Sequence, residues 1–193
     1  MKKSIAIVGL LACAPVWAAE GLSYNYVQAN WIADSELDGT VSTDGDGFDV
    51  GGVFSFSDTF YVLGEYKDLS YDGGDLEETS VGVGAHSNTF TGGIDVFGNL
   101  TFENVDAGAL GDDSGFGIEV GARTALGASA DGYISYEYDD VGDLEGNFFK
   151  IGGSFAFNPN WAITGEYLTG DYENDNVGES DRDDLRVGVR YNF

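Results

Sequence analysis

The stretch Leu185-Arg186-Val187-Gly188-Val189-Arg190-Tyr191-Asn192-Phe193 decides how the rest of the sequence is read. Leu185, Val187, Val189, Tyr191 and Phe193 share one parity, and Arg186, Gly188, Arg190 and Asn192 share the other. A strand alternates its side chains between two faces, so this segment has one wholly apolar face and one charged or small face. In a soluble sandwich the apolar face turns inward to a core. In a transmembrane barrel it turns outward to lipid, and the polar face lines the interior.

The same alternation recurs in nine earlier segments: 22–33, 48–56, 60–67, 78–86, 93–105, 116–123, 132–139, 147–157 and 161–168. In the first, Val27, Ala29 and Trp31 oppose Tyr26, Gln28 and Asn30; in the ninth, Trp161, Ile163, Gly165 and Tyr167 oppose Ala162, Thr164, Glu166 and Leu168. The count is even. Links at 57–59, 87–92, 127–131 and 158–160 are brief, while those at 34–47, 106–114 and 169–183 are long and Asp-rich. Short turns at one rim and longer loops at the other are the pattern of outer-membrane barrels. The expected fold is all-β: a closed antiparallel up-and-down transmembrane barrel of ten strands, with eight as the alternative. Its acidic loops would be extracellular. A gapless repeat, Phe56-Ser57-Asp58-Thr59-Phe60 through Glu65-Tyr66 against Phe157-Asn158-Pro159-Asn160-Trp161 through Glu166-Tyr167, reads as one hairpin unit used twice.

Composition agrees. The 193 residues make one domain by size, and 30 Gly, 14% aromatics and two Pro suit many short strands with Gly-rich turns. The amino terminus reads as an export signal over residues 1–18. Lys2 and Lys3 precede an apolar run, and Val16-Trp17-Ala18 supplies a small-residue cleavage site, leaving a barrel over 19–193. A lipoprotein signal centred on Leu10-Leu11-Ala12-Cys13 is the rival reading. No later segment is apolar and long enough for a spanning helix. Cys13 is the single cysteine, so a chain cut after Ala18 holds no disulfide and no thiolate metal site. Removing Lys2 and Lys3 takes the net charge from −26 to −28, which argues against nucleic acid or bare anionic lipid as a partner.

Charge follows parity. Lys67, Arg123, Lys150, Arg186 and Arg190 lie on the non-apolar parity of their segments, as do Glu65, Glu103, Glu119, Glu137 and Glu166. An Arg or Lys facing lipid near mid-membrane costs about 2–4 kcal/mol, so a barrel requires this segregation. A soluble sandwich with charges outside shows the same parity. Aromatic residues near the strand ends, among them Phe48, Phe56, Phe60, Trp161, Tyr167, Tyr191 and Phe193, favour the membrane, because interfacial girdles are built from them.

On these features the sequence resembles the small outer-membrane β-barrels of Gram-negative bacteria, in the broad OmpA/OmpX-like, porin-like group. The likeness is carried most sharply by Val187 to Phe193. The resemblance implies that Val189, Tyr191 and Phe193 form the terminal signal read by the outer-membrane assembly machinery, and that the protein resides in the outer membrane. Tyr24-Asn25-Tyr26-Val27 and Phe60 to Tyr66 are similar to a subgroup once described as secreted signalling factors.

Catalytic constellations are poor. His86 is the single histidine and stands beside Ser87 near a short turn, which suits a polar barrel lining better than an acyl-transfer site. Gly115-Phe116-Gly117-Ile118-Glu119-Val120-Gly121 misplaces its last glycine for a dinucleotide loop and precedes no helix. Asp44-Gly45-Asp46-Gly47-Phe48-Asp49 lacks the Glu that closes an EF-hand. No enzyme activity, metal site or cofactor is expected. Glu65, Lys67, Glu103, Glu119, Arg123, Glu137, Lys150, Glu166, Arg186 and Arg190 are expected to form an interior charge network. Ten strands enclose little more than the eight-strand barrels that side chains fill, so the expected protein is a monomer with a filled interior and a structural or surface-interaction role. It would meet membrane lipid and lipopolysaccharide, with divalent cations bridging its acids to phosphate. A small cation-preferring channel and a soluble secreted β-protein acting through acidic loops are the alternatives.

Overall fold

The computed structural model describes residues 22–39, 42–72, 74–90, 93–108, 111–174 and 178–193. The export signal, its cleavage site and Cys13 lie outside these residues. Ten strands follow in order: β1 (Asn25–Asp38), β2 (Ser42–Ser55), β3 (Phe60–Tyr71), β4 (Gly74–Phe90), β5 (Ile94–Asp106), β6 (Asp112–Ala125), β7 (Ala130–Val141), β8 (Leu144–Ala156), β9 (Trp161–Asn174) and β10 (Gly178–Asn192). Each pairs antiparallel with its chain neighbour, and β1 pairs with β10 to close the barrel. Closure leaves no open sheet edge, so backbone groups in the wall are satisfied strand to strand, as a hydrocarbon environment demands.

The wall is inside-out relative to a soluble domain. Val187, Val189 and Ile163 point outward at 45%, 44% and 52% exposure, with Phe54, Val62, Val83, Leu100, Ile118, Ile134 and Ile151 around the same surface. Arg186, Arg190, Lys67, Arg123 and Asp49 are buried inside. The soluble sandwich is therefore overturned, since its apolar face would have met a dry centre. Two aromatic rings bound the apolar belt. Phe56, Phe60, Phe157, Trp161, Tyr191 and Phe193 mark the turn-side rim; Trp31, Phe48, Tyr66, Phe102, Phe116 and Tyr136 mark the other. Phe56–Phe60 stack at 6.3 Å, and Tyr191 meets Trp161 and Phe193 edge-on at 5.0 and 5.2 Å.

The repeated hairpin takes one conformation twice. Ser57 Oγ accepts from the Thr59 and Phe60 amides (3.2 and 2.8 Å), and Asn158 Oδ1 accepts from Asn160 and Trp161 (3.0 and 2.9 Å). The Phe56 amide reaches Phe60 O and the Phe157 amide reaches Trp161 O, both at 3.1 Å. A short polar side chain that imitates a turn's backbone bond is the reason Ser and Asn occupy these corners.

The opposite rim departs from the expectation of long loops. β1 runs to Asp38 and β2 resumes at Ser42; β9 runs to Asn174 and β10 resumes at Gly178. Strands of 12 to 17 residues exceed the 9–11 that a tilted strand needs to cross a bilayer, and the excess lies beyond the outer aromatic ring. The acids assigned to loops are mostly strand residues: Glu36, Asp44, Asp46, Asp181 and Asp183 face outward above the belt. A bulge between Ile32 and Asp34 resets the parity of β1, turning Ser35 and Leu37 inward.

Candidate functional site

Inward parity concentrates cations in the lumen. The six Lys and Arg residues among those described all project inward: Lys67, Arg123, Lys150, Arg182, Arg186 and Arg190. Carboxylates from several strands converge on them in three tiers.

The turn-side tier is aromatic. Tyr24, just before β1, lies across the mouth, stacked on His86 (3.9 Å, 15°) and on Tyr61 (4.9 Å, 25°), with the Arg123 guanidinium 5.5 Å from its ring. Arg123 donates through Nε to Asp131 (3.0 Å) and through a terminal nitrogen to Ser23 O (2.9 Å). Arg190 covers the Tyr26 ring at 4.2 Å and donates to Gln28 Oε1 at 3.1 Å. Tyr61 hydroxyl donates to Asn99 at 2.6 Å, and Gly84 makes its path possible, because a Cβ there would sit 2.1 Å from the Tyr61 ring. Tyr24, Tyr61, Arg123 and Arg190 are all buried, so rings and guanidinium groups crowd this end of the lumen. His86 Nδ1 pairs with Asp95 at 2.9 Å, but strand parity turns Ser87 outward, away from the imidazole.

At mid-height Arg186 is the hub. It approaches Glu166 (3.3 Å), Asp184 (3.3 Å), Glu65 (3.6 Å) and Asp49 (3.7 Å). Asp49 also accepts from Asn30 at 2.6 Å, and Glu166 from the Tyr133 hydroxyl. Lys150 bonds Glu137 and lies 3.8 Å from Glu119, which accepts from Ser135 and Asn99 at 2.6 and 2.7 Å. Lys67 bonds Glu78 and lies 3.9 Å from Glu65. Glu103 instead accepts from Thr101 (2.8 Å) and gathers with Glu137 and Asp139.

The third tier centres on Arg182, 1% exposed. Its Nε and one terminal nitrogen bind Asp184 bidentately (3.1 and 2.9 Å), while the other donates to Glu78 and the Tyr172 hydroxyl, both at 2.7 Å. Ser35 adds a bond to Asp184 at 2.6 Å. Paired, doubly hydrogen-bonded charges are the form in which ions tolerate burial.

The parity reading of the sequence omitted Arg182, Asp184, Asp49, Glu78, Asp95, Asp131 and Asp139. Arg182 fell in the 169–183 link and Asp131 in the 127–131 link, Asp184 lay just before the final segment, and the others were legible as inward positions without a partner to mark them. The interior is also not filled throughout. A cavity of about 730 Å³ remains, bordered by Glu65, Lys67, Asn99, Glu119, Lys150 and Arg186. Gly51, on the inward parity, borders it without adding side-chain volume, whereas the space over Gly121 and Gly152 is taken by the Phe97 and Tyr133 rings. Val189, Tyr191 and Phe193 stand apart from the lumen, on the lipid-facing surface beside Trp161 and Phe54.

A closed wall, an apolar belt between aromatic rings and a charged lumen define an outer-membrane β-barrel. Among solved structures the chain is similar to Neisserial surface protein A, at 18% identity over 90% of this chain and 100% of that one, with a TM-score of 0.50. It is also similar to the KdgM porin (13%, 87% and 99%, TM-score 0.48) and to Ail of Yersinia pestis (15%, 89% and 100%, TM-score 0.42). No family model and no curated protein matches the chain. At these identities the likeness is one of fold.

Proposed function

We propose that the protein is a non-enzymatic outer-membrane barrel with a closed lumen, acting as a structural or surface-interaction element. The observation that carries this reading is the turn-side layer, where Tyr24, Tyr61, Arg123 and Arg190 lie buried across the mouth below the cavity. Closure rests on that layer and on the Arg186 and Arg182 networks, not on a filled interior. The outer surface is read as meeting lipopolysaccharide: exposed Glu36, Asp46, Glu77, Asp106 and Asp181, with half-buried Asp183, rise above the belt, and every basic residue beyond Lys3 is committed to the lumen. Contact with phosphate then requires bridging divalent cations. Chelation should strip lipopolysaccharide from the purified protein, whereas retention would remove the cation bridge from the reading. The outward Val189, Tyr191 and Phe193 are the residues proposed to be read by the assembly machinery, and the folded unit is proposed to be a monomer.

A cation-preferring channel is the second reading, favoured by the cavity of about 730 Å³ and by the excess of lumenal carboxylates over cations. Planar-bilayer recording separates the two. A closed lumen gives no steady conductance with the intact chain; reproducible cation-selective steps would replace the structural reading with the channel.

A further inference from the structure

One part of the lumen is not explained by ion pairing. Glu103 on β5 and Glu137 and Asp139 on β7 each bring a carboxylate oxygen to within 4.8 Å of the others. Asp139 is 8% exposed, and its buried Oδ1 has no hydrogen-bond partner. Lys150 bonds Glu137 through one oxygen, and Thr101 donates to Glu103 at 2.8 Å. A carboxylate has two oxygens and can serve a cation and a metal together.

Between these strands, β6 contributes Gly117, paired with Thr101 on one side and Asp139 on the other. A Cβ at Gly117 would lie 2.5 Å from Glu103 Oε1, 2.5 Å from Thr101 Oγ1 and 2.7 Å from Asp139 Oδ1. Oxygens from two strands thus lean over one bare Cα. Like charges and an unpartnered buried oxygen at such separations call for a positive centre, and an all-oxygen set selects a hard one. The adjoining cavity, bordered by the same three acids and continuing past Asp113 and Asp143, leaves room for water ligands and an entry path from the loop-side rim. The sequence offered no motif for this set because its members come from separate strands, brought together by register alone.

We propose that Glu103, Glu137 and Asp139, with the Thr101 hydroxyl, form a lumenal site for one hard divalent cation of the Ca²⁺ class. This goes beyond the structural reading and does not depend on whether the barrel conducts.

The test is calorimetric titration of Ca²⁺ into the refolded full barrel in detergent, free of lipopolysaccharide, at moderate salt. Wild type is compared with Asp139→Asn, Glu103→Gln and an outer-surface control, Asp181→Asn with Asp183→Asn. Wild type and control should share one tight equivalent, and each lumenal variant should weaken it at least about tenfold, a scale at which even a supporting contact of a metal site acts. Gly117→Ala should weaken it too, by crowding the oxygens while leaving every carboxylate in place. Heat-modified gel mobility shows that each variant is folded, and Ca²⁺ should raise the melting temperature of wild type and control but not of Asp139→Asn. Equal binding by wild type and both lumenal variants, or loss only in the outer-surface control, would overturn the site.

Discussion

Arg182 shows how much one buried charge decides. It is almost inaccessible, it holds Asp184 by two bonds, and it joins β10 to Glu78 on β4 and Tyr172 on β9 across the lumen. Arg182→Ala takes from Asp184 its bidentate partner and from Glu78 one of its two cations in a low-dielectric interior, leaving Arg186 beside the first and Lys67 on the second. Breaking a buried pair from one side typically costs about 3–5 kcal/mol, against about 0–1 kcal/mol for a surface pair. Denaturant unfolding in detergent should show a loss of about that size for Arg182→Ala, and almost none for the exposed Asp181→Ala. Replacing Arg182 and its carboxylates together by apolar residues of similar volume should restore much of the loss. Asp181-Arg182-Asp183-Asp184 looks like solvated loop acid because no apolar residue marks either face. Parity counted back from Arg186 is the signal that places Arg182 and Asp184 inside.

The strands carry a pattern that is plain where lipid touches it and faint elsewhere. Between the aromatic rings one face is apolar and the other polar, so period two is visible in β2 from Phe48 to Phe54, in β6 from Phe116 to Arg123 and in β10 from Leu185 onward. All ten strands were legible for that reason. Beyond the belt both faces meet water or polar lumen. In β2, Ser42, Asp44 and Asp46 face out while Thr43, Gly45 and Gly47 face in, and hydrophobic contrast vanishes although the strand continues. Loop boundaries drawn from hydrophobicity therefore stop at the belt. The bulge in β1 adds a second obstacle, since one extra residue exchanges inward and outward positions for Ser35 and Leu37. The belt itself has a measurable cost function. Val189→Arg, on β10 between Val187 and Tyr191, should destabilise the barrel by about 2–4 kcal/mol in vesicles. Glu36→Arg, above the outer ring on β1, should change stability little, and refolding equilibria in the same vesicles compare the two.

Taken whole, the molecule sorts charge by sign as well as by place. Cations beyond Lys3 occupy the lumen, carboxylates occupy both lumen and outer surface, and the lipid belt carries neither. The sorting supplies Arg and Lys where packed carboxylates need them and leaves the outer surface uniformly acidic. Composition announced the acidic excess; only the closed register reveals which acids meet which cations, because partners such as Arg186 and Asp49 lie 137 positions apart in sequence and join through the curvature of the wall. The same curvature joins Thr101, Glu103, Glu137 and Asp139. Every one of these assignments depends on the apolar parity facing lipid. Spin labels on single cysteines at the adjacent pairs Ser80 and Val81, Ser154 and Phe155, and Thr164 and Ile163, in a chain reconstituted into bilayers, report that orientation through their collisions with oxygen dissolved in lipid. Labels at Val81, Phe155 and Ile163 should collide freely while those at Ser80, Ser154 and Thr164 are shielded; the reverse alternation, or none, would contradict the barrel described here.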